Sequence, residues 1–242
     1  LNRPEKFNAF NREMALLLQE KLDECESNKE IRCVYITGSG KAFCAGQDLA
    51  EIIDPNGPGM QKILSQHYNP IIQKIRNLNK PVVAVVNGVA AGAGANIALC
   101  CDIVIATESA SFIQAFSKIG LIPDGSGTYF LPRLIGMQKA SAFMMLGDKI
   151  SAGEAERIGM IYKVFPDNIF IREAEKIASA LSELPANGLA YTKQALNKSL
   201  EQNLEQQLQT EDELQQKAAL TKDFSEGVSA FLEKRKPKFT GE

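Results

Sequence analysis

The run Pro81 to Asn87, reading PVVAVVN, restricts the fold more than any other stretch, because it holds no polar residue until its last position. An apolar strand without alternation is covered on both faces, which requires a layer of helix or sheet on either side. The run leads directly into Gly88-Val89-Ala90-Ala91-Gly92-Ala93-Gly94-Ala95. Small residues after a buried strand read as a glycine turn and then a helix N-terminus, whose first N–H groups have no intrahelical partner. The segment is neither GxGxxG nor GxxxxGK, so it carries no nucleotide-phosphate signature. It fits two roles equally: close helix–strand packing, and a turn that binds an oxyanion.

The flanking pattern gives an α/β chain. Asn11 to Glu26 places Met14, Leu17, Leu18 and Leu22 at helical spacing, and Ile31 to Thr37 is a short β-rich run. The stretch LNRPEKFNAF before them reads as a strand tail turning into a loop. Since Leu1 is not an initiator Met, the start is expected to lie upstream. Gly38, Gly40 and Gly46 punctuate the following loop, and Asp54-Pro55-Asn56-Gly57-Pro58-Gly59 is expected to be a mobile turn before a helix ending near Asn79. Asp102 to Thr107 and Ser111 to Ala115 read as strands, so strands and helices alternate through the first half. From Ser126 onward the pattern is helical, including Ser141 to Leu146 and a Ser151-Ala152-Gly153-Glu154 capping-box spacing. The Gln- and Glu-rich stretch from Leu200 to Lys217 repeats leucine at 200, 204, 208 and 214, as an amphipathic helix does.

Composition bounds the function. A chain of 242 residues, 45% hydrophobic, suits one large domain. With 27 Lys+Arg against 29 Asp+Glu, no global field favours nucleic acid or an anionic membrane, and any anionic ligand must be met locally. No run of about 18 apolar residues is present to cross a bilayer. The five cysteines form an odd set without CxxC spacing, which fits a reducing, cytoplasmic setting.

Through Asn2-Arg3-Pro4, Phe43-Cys44-Ala45-Gly46-Gln47-Asp48, Asn87-Gly88 to Gly94 and Gly120-Leu121-Ile122-Pro123, the chain resembles the crotonase, or enoyl-CoA hydratase/isomerase, superfamily over nearly its whole length. Within it, Gly88 to Ala95, Ala115 to Asp124 and Gly227 to Leu232 are similar to the 1,2-epoxyphenylacetyl-CoA isomerases of phenylacetate catabolism. The resemblance implies a ClpP-like spiral of ββα units over residues 1–187, holding the acyl-CoA site. It also implies a C-terminal helical trimerisation region over 188–242, and a homotrimer or dimer of trimers. It implies no metal and no cofactor beyond the coenzyme A of the substrate.

The same resemblance places the two oxyanion N–H donors on Gln47 and Ala93, and an acid/base carboxylate on Asp124. An N-cap role would explain that aspartate equally well. The two water-handling glutamates of hydratases correspond here to Asn96 and Phe116, neither of which trades a proton at neutral pH, so efficient hydration is not expected. Ala45, Gln47, Asp48, Leu49, Phe116 and Ile122 are expected to bind the acyl part, and Lys6, Phe231 and Lys234 the coenzyme A end. Asp48 and Asp102 also fit capping or structural roles. His67, the only histidine, reads as a helix-surface residue near the pocket. The dehalogenase branch has its nucleophile at the Asp124 position but relies on a Trp partner, and this chain has no Trp. Phe116, Ile119, Leu121 and Ile122 should desolvate Asp124 and raise its pKa. The leading expectation is an acyl-CoA isomerase. The alternatives are an enoyl-CoA hydratase of fatty-acid oxidation and a non-catalytic acyl-CoA-binding relative.

Overall fold

The computed structural model describes residues 1–242. The first helix, α1 (Arg12–Ser27), starts at Asn11, whose side chain accepts from the Met14 N–H and so satisfies one orphan donor of the first turn. Strands β1 (Val34–Thr37) and β2 (Ala42–Cys44) follow, then α2 (Leu49–Ile53), α3 (Gly59–Lys62), a π-helical stretch Ile63–Tyr68, and α4 (Asn69–Asn77). The second turn of the spiral is β3 (Val82–Val86), β4 (Val89–Ala91) and α5 (Ala93–Leu99). The third is β5 (Ile103–Thr107), β6 (Ser111–Ile113), a 3-10 stretch Ala115–Ile119, α6 (Gly127–Ile135) and α7 (Met137–Leu146). Then come β7 (Lys149–Ser151), α8 (Ala152–Arg157), β8 (Lys163–Phe165), α9 (Phe170–Glu183), α10 (Ala186–Ser199), α11 (Leu204–Ala219) and α12 (Lys222–Glu233).

Each of the first three turns gives its first strand to one sheet, ordered β1-β3-β5-β8 and parallel throughout, and its second to another, ordered β2-β4-β6-β7; the last pair joins the two sheets in the reverse order. Only β7 runs antiparallel to its neighbour. Stacked ββα units are thus the fold, as the resemblance implies. β3 is the buried strand at its centre, and all five of its residues are inaccessible. Val82, Ala84 and Val86 face the main core, while Val83 and Val85 face a smaller cluster with Ile105, Phe170 and Ala174 under α9. That two-sided burial is why the run carries no alternation.

Three expectations change. The segment after β3 contains a strand, β4, before its helix, because Val89 to Ala91 pair with β2 and β6. The chain beyond Ser126 is not helical throughout: β7 and β8 are three-residue strands that only sheet pairing creates. At α8 the Ser151 hydroxyl caps Glu154 N–H, but the Glu154 carboxylate turns to Arg157, so half the box is made. The full capping box belongs to Asn203 and Gln206 at α11. The leading residues Pro4–Lys6 form a 3-10 turn, and no helix is long and apolar enough to cross a membrane. All five cysteines are unpaired.

α10 is tied to the core by charge. Lys193 bonds the Asp102 carboxylate at 2.8 Å and the carbonyls of Ile75 and Lys80, and Arg76 completes the cluster on Asp102 at 3.1 Å. Asp102 also accepts from the Val82 N–H, a structural role. Because β3 has no route for collapse on either face, Val85→Ala should lower the unfolding free energy by about 2 kcal/mol. Urea titration checks this, with the midpoint falling and the slope unchanged.

Candidate active site

Two loops meet over the top of the second sheet. After β2, Gly46 adopts a positive φ of 93°, and a side chain there would press on the Ala91 carbonyl at 2.9 Å. Phe10 pairs with Gln47 as a parallel bridge: the Phe10 N–H donates to Gly46 O at 2.7 Å, and the Phe10 carbonyl accepts from Asp48 N–H at 2.8 Å. In that pattern the N–H of Gln47 itself faces the opposite way, toward the β4–α5 turn. There Ala93 opens α5, so its N–H has no acceptor within the helix. Gly94 lets α5 close onto β2, since a Cβ on it would fall 2.6 Å from the Cys44 sulfur and carbonyl oxygen. The small residues therefore serve close packing, and they leave the first amide of α5 without an acceptor inside the helix.

The Gln47 side chain is fixed on both sides. Its Oε1 accepts from the buried Tyr68 hydroxyl at 2.8 Å, and its Nε2 donates to Glu51 at 2.8 Å. Sequence reading missed Tyr68; it sits in the π-helical stretch, whose register no periodicity marks. Burial and the nearby negative groups raise the phenol well above its ordinary value, so it stays a neutral donor.

A cavity of about 350 Å³ opens beneath these loops. Ala45, Gln47, Leu49, Ala93, Phe116 and Asp124 all line it, which brings six of the sequence candidates together. Ile52, Met60, Ile63, Ile119 and Leu121 supply further apolar wall, and Lys118 is its one basic residue. Asp124 is its only acidic residue. One carboxylate oxygen of Asp124 is buried without a hydrogen-bond partner, and burial pushes the group up to about 6. The carboxyl does not cap α6, for which Ser126 holds the capping position.

The other candidates lie elsewhere. Asp48 caps α2 through the Ala50 N–H and pairs with Arg3 at 3.0 Å, so its carboxylate is committed to structure. Ile122, adjoining the cavity-lining Leu121, is 80% exposed and does not line the cavity. Lys6 is exposed on the N-terminal 3-10 turn. Phe231 is 80% exposed on α12, and Lys234 ends that helix in a left-handed conformation. His67 is not a surface residue: it is 1% exposed, with its Nδ1 unpartnered and its Nε2 3.4 Å from Arg12. Helix α1 packs over the π-helical stretch and covers it.

Two loops with backbone N–H groups not engaged by their own elements, and a single half-buried carboxylate, line one apolar cavity. On a spiral of ββα units this defines the class, and the chain belongs to the enoyl-CoA hydratase/isomerase family, whose model matches residues 1–242. It is 47% identical, over all of its length and 93% of the relative's, to the 1,2-epoxyphenylacetyl-CoA isomerase of Escherichia coli (strain K12). It is 35% identical, over all of its length and 93% of the relative's, to the 2,3-dehydroadipyl-CoA hydratase of the same organism. Among solved structures, the enoyl-CoA hydratase of Bacillus anthracis superposes with a TM-score of 0.93 at 34% identity, covering 100% of this chain and 94% of that one.

The raised carboxyl has a thermodynamic consequence. Its folded-state value, about 6, lies above the ordinary 3.8, so the native state holds the proton more tightly than the unfolded chain does. The fold therefore carries a cost that is absent below pH 4, grows as pH rises and is complete above pH 6. Asp124→Asn should remove it and stabilise the protein by about 2 kcal/mol at pH 8, after allowance for partial exposure, with no gain at pH 3.5. Denaturant titrations of both proteins at the two pH values measure the difference.

Proposed function

We propose that the protein is an acyl-CoA isomerase in which the N–H groups of Gln47 and Ala93 hold the thioester oxygen and Asp124 carries the proton. The observation that supports this reading is the inventory of the cavity: Asp124 is its one carboxylate, with no second to pair with it. Asn96 and Phe116 occupy the positions that resemblance gives to the two hydratase glutamates, and neither side chain can activate water.

For a 3-enoyl thioester the steps balance with one residue. The Asp124 carboxylate takes a proton from C2, and the electron pair moves into the thioester oxygen, giving a dienolate. Hydrogen bonds from the two amides strengthen as that oxygen becomes negative, so the loops bind the intermediate better than the substrate. The protonated Asp124 returns its proton to C4, and the double bond settles between C2 and C3. The site also suits the conversion of 1,2-epoxyphenylacetyl-CoA to oxepin-CoA, the substrate in the name of the Escherichia coli relative. Its apolar walls suit a ring as well as a chain. A pKa near 6 gives Asp124 a stronger base than an exposed aspartate while keeping most of it ionised at neutral pH.

We assign the coenzyme A phosphates to Lys6 and Lys234 and the adenine face to Phe231, all exposed outside the acyl cavity. The exposed Leu204, Leu208 and Phe224 of the C-terminal helices are assigned to contacts between copies in a trimer, whereas Leu214 is buried within the chain. No resident cofactor is required, and the free cysteines suit a cytoplasmic location.

The test is to incubate 3-enoyl and 2-enoyl thioesters with enzyme in deuterated water and follow bond position and label. Migration with deuterium at the exchanged carbon is expected, with kcat rising through an acidic limb near pH 6. Asp124→Asn should lower kcat by about 1,000-fold. Water addition without migration, or an Asp124→Asn variant of unchanged activity, would overturn the assignment.

A further inference from the structure

The amide of Asn96 is engaged at both ends. Its Nδ2 donates to the backbone carbonyl of Asp124 at 2.7 Å, and its Oδ1 accepts from Gln114 Nε2 at 2.8 Å. Both residues are buried, Asn96 on α5 and Gln114 just beyond β6. One group fixes the direction of the whole chain of bonds. A backbone carbonyl can only accept, so Asn96 presents its NH2 to Asp124 and its oxygen to Gln114, which must answer with its own NH2. The Gln114 oxygen is then left buried and unpartnered. Side chains chosen for packing alone would not leave that carbonyl stranded.

The turn carrying Asp124 is shaped around this amide. Gly125 and Ser126 are both left-handed, with φ of 54° and 67°, and serine gains nothing intrinsically from that region. A Cβ on Gly127 would lie 2.4 Å from Asn96 Nδ2, so the turn is pressed directly against the side chain. A reversal of this kind persists only when its surroundings hold it. The bond from Asn96 is a direct hold on the residue whose carboxyl enters the cavity.

We infer that Asn96, oriented by Gln114, is a positioning residue that fixes the main chain at Asp124 and thereby aims the carboxyl group into the acyl cavity. The inference rests on the proposed role of Asp124 as proton carrier. It gives the side chain at 96 a task that a glutamate could not perform. A carboxylate has no hydrogen to donate to the Asp124 carbonyl, and the tight seat of Gly127 leaves no room for a longer side chain. In this chain the side chain at 96 is committed to holding Asp124 and is not available to activate water.

The test compares Asn96→Ala, Gln114→Met and Asp124→Asn in the full chain, with a 3-enoyl thioester as substrate. Gln114→Met keeps the volume, removes the stranded carbonyl and leaves Asn96 in place but free to rotate, so it folds even if Asn96→Ala does not. Displacement of the reacting group should lower kcat by about 100-fold in Asn96→Ala and about tenfold in Gln114→Met, with KM within about twofold. The acidic limb of kcat should move down from pH 6 by about one unit as the released carboxyl gains water. Tyr68 and Lys118, the titratable side chains that share the cavity with Asp124, are untouched by either change. A purely structural role would lower the melting temperature while leaving kcat per folded molecule and the limb in place, and that result would overturn the inference. Asp124→Asn separates the two ideas: if it is inactive while Gln114→Met behaves as wild type, only the positioning role fails. If Asp124→Asn is itself active, the functional reading has failed first.

Discussion

Helix α5 lies so close to strand β2 that residue 94 can have no side chain, and the rest of the site depends on that contact. The Gly94 Cα is seated on Cys44, which brings the first N–H of the helix opposite the loop that turns after β2. The pair of amides could not be supplied by one element alone. The β2 loop exposes the Gln47 N–H because its partner strand residue, Phe10, takes the groups on either side of it. The helix exposes the Ala93 N–H because a first turn always leaves its donors free. Two sheets stacked by a repeated ββα unit hold the pair in register, and β3, buried on both faces, makes that stack rigid.

Around this pair the protein has removed almost every other polar group. Apolar residues of α2, α3 and the 3-10 stretch wall the cavity, so the one carboxylate inside it is desolvated and its proton affinity rises. Low polarity acts on both partners of the proposed reaction. It strengthens hydrogen bonds to a developing oxyanion, and it makes the aspartate a better base than it would be in water. The cost falls on folding, since an ionised group sits where water is scarce, and such costs concentrate where chemistry is done.

Much of the architecture could be read from residues. The unbroken apolar run at 81–87 announced a two-sided layer, and the glycine and alanine segment after it announced a close helix contact. β4, β7 and β8 escaped notice because three-residue strands carry no detectable alternation and exist only through their neighbours. Six of the candidates meet in one cavity because the three sequence segments that suggested them follow β2, β4 and β6, which are neighbours in one sheet. Asp48 was read both as a binding residue and as a capping or structural acid, and the structure commits its carboxylate to Arg3 and a helix cap, the second role. Tyr68, Gln114 and the buried state of His67 were invisible, since each depends on contacts between segments more than fifteen residues apart. The residue at 96 was read by resemblance as standing at the position of a hydratase glutamate, and what its amide does is visible only in the structure.

The most direct test of the account is a structure with a bound, unreactive acyl thioester or an enolate analogue. The account predicts the thioester oxygen at about 2.7–3.1 Å from both the Gln47 and Ala93 nitrogens, with the Asp124 carboxyl facing the carbons on either side of the migrating double bond. An oxygen bound away from those two amides, or a carboxyl turned out of the cavity in the complex, would contradict it.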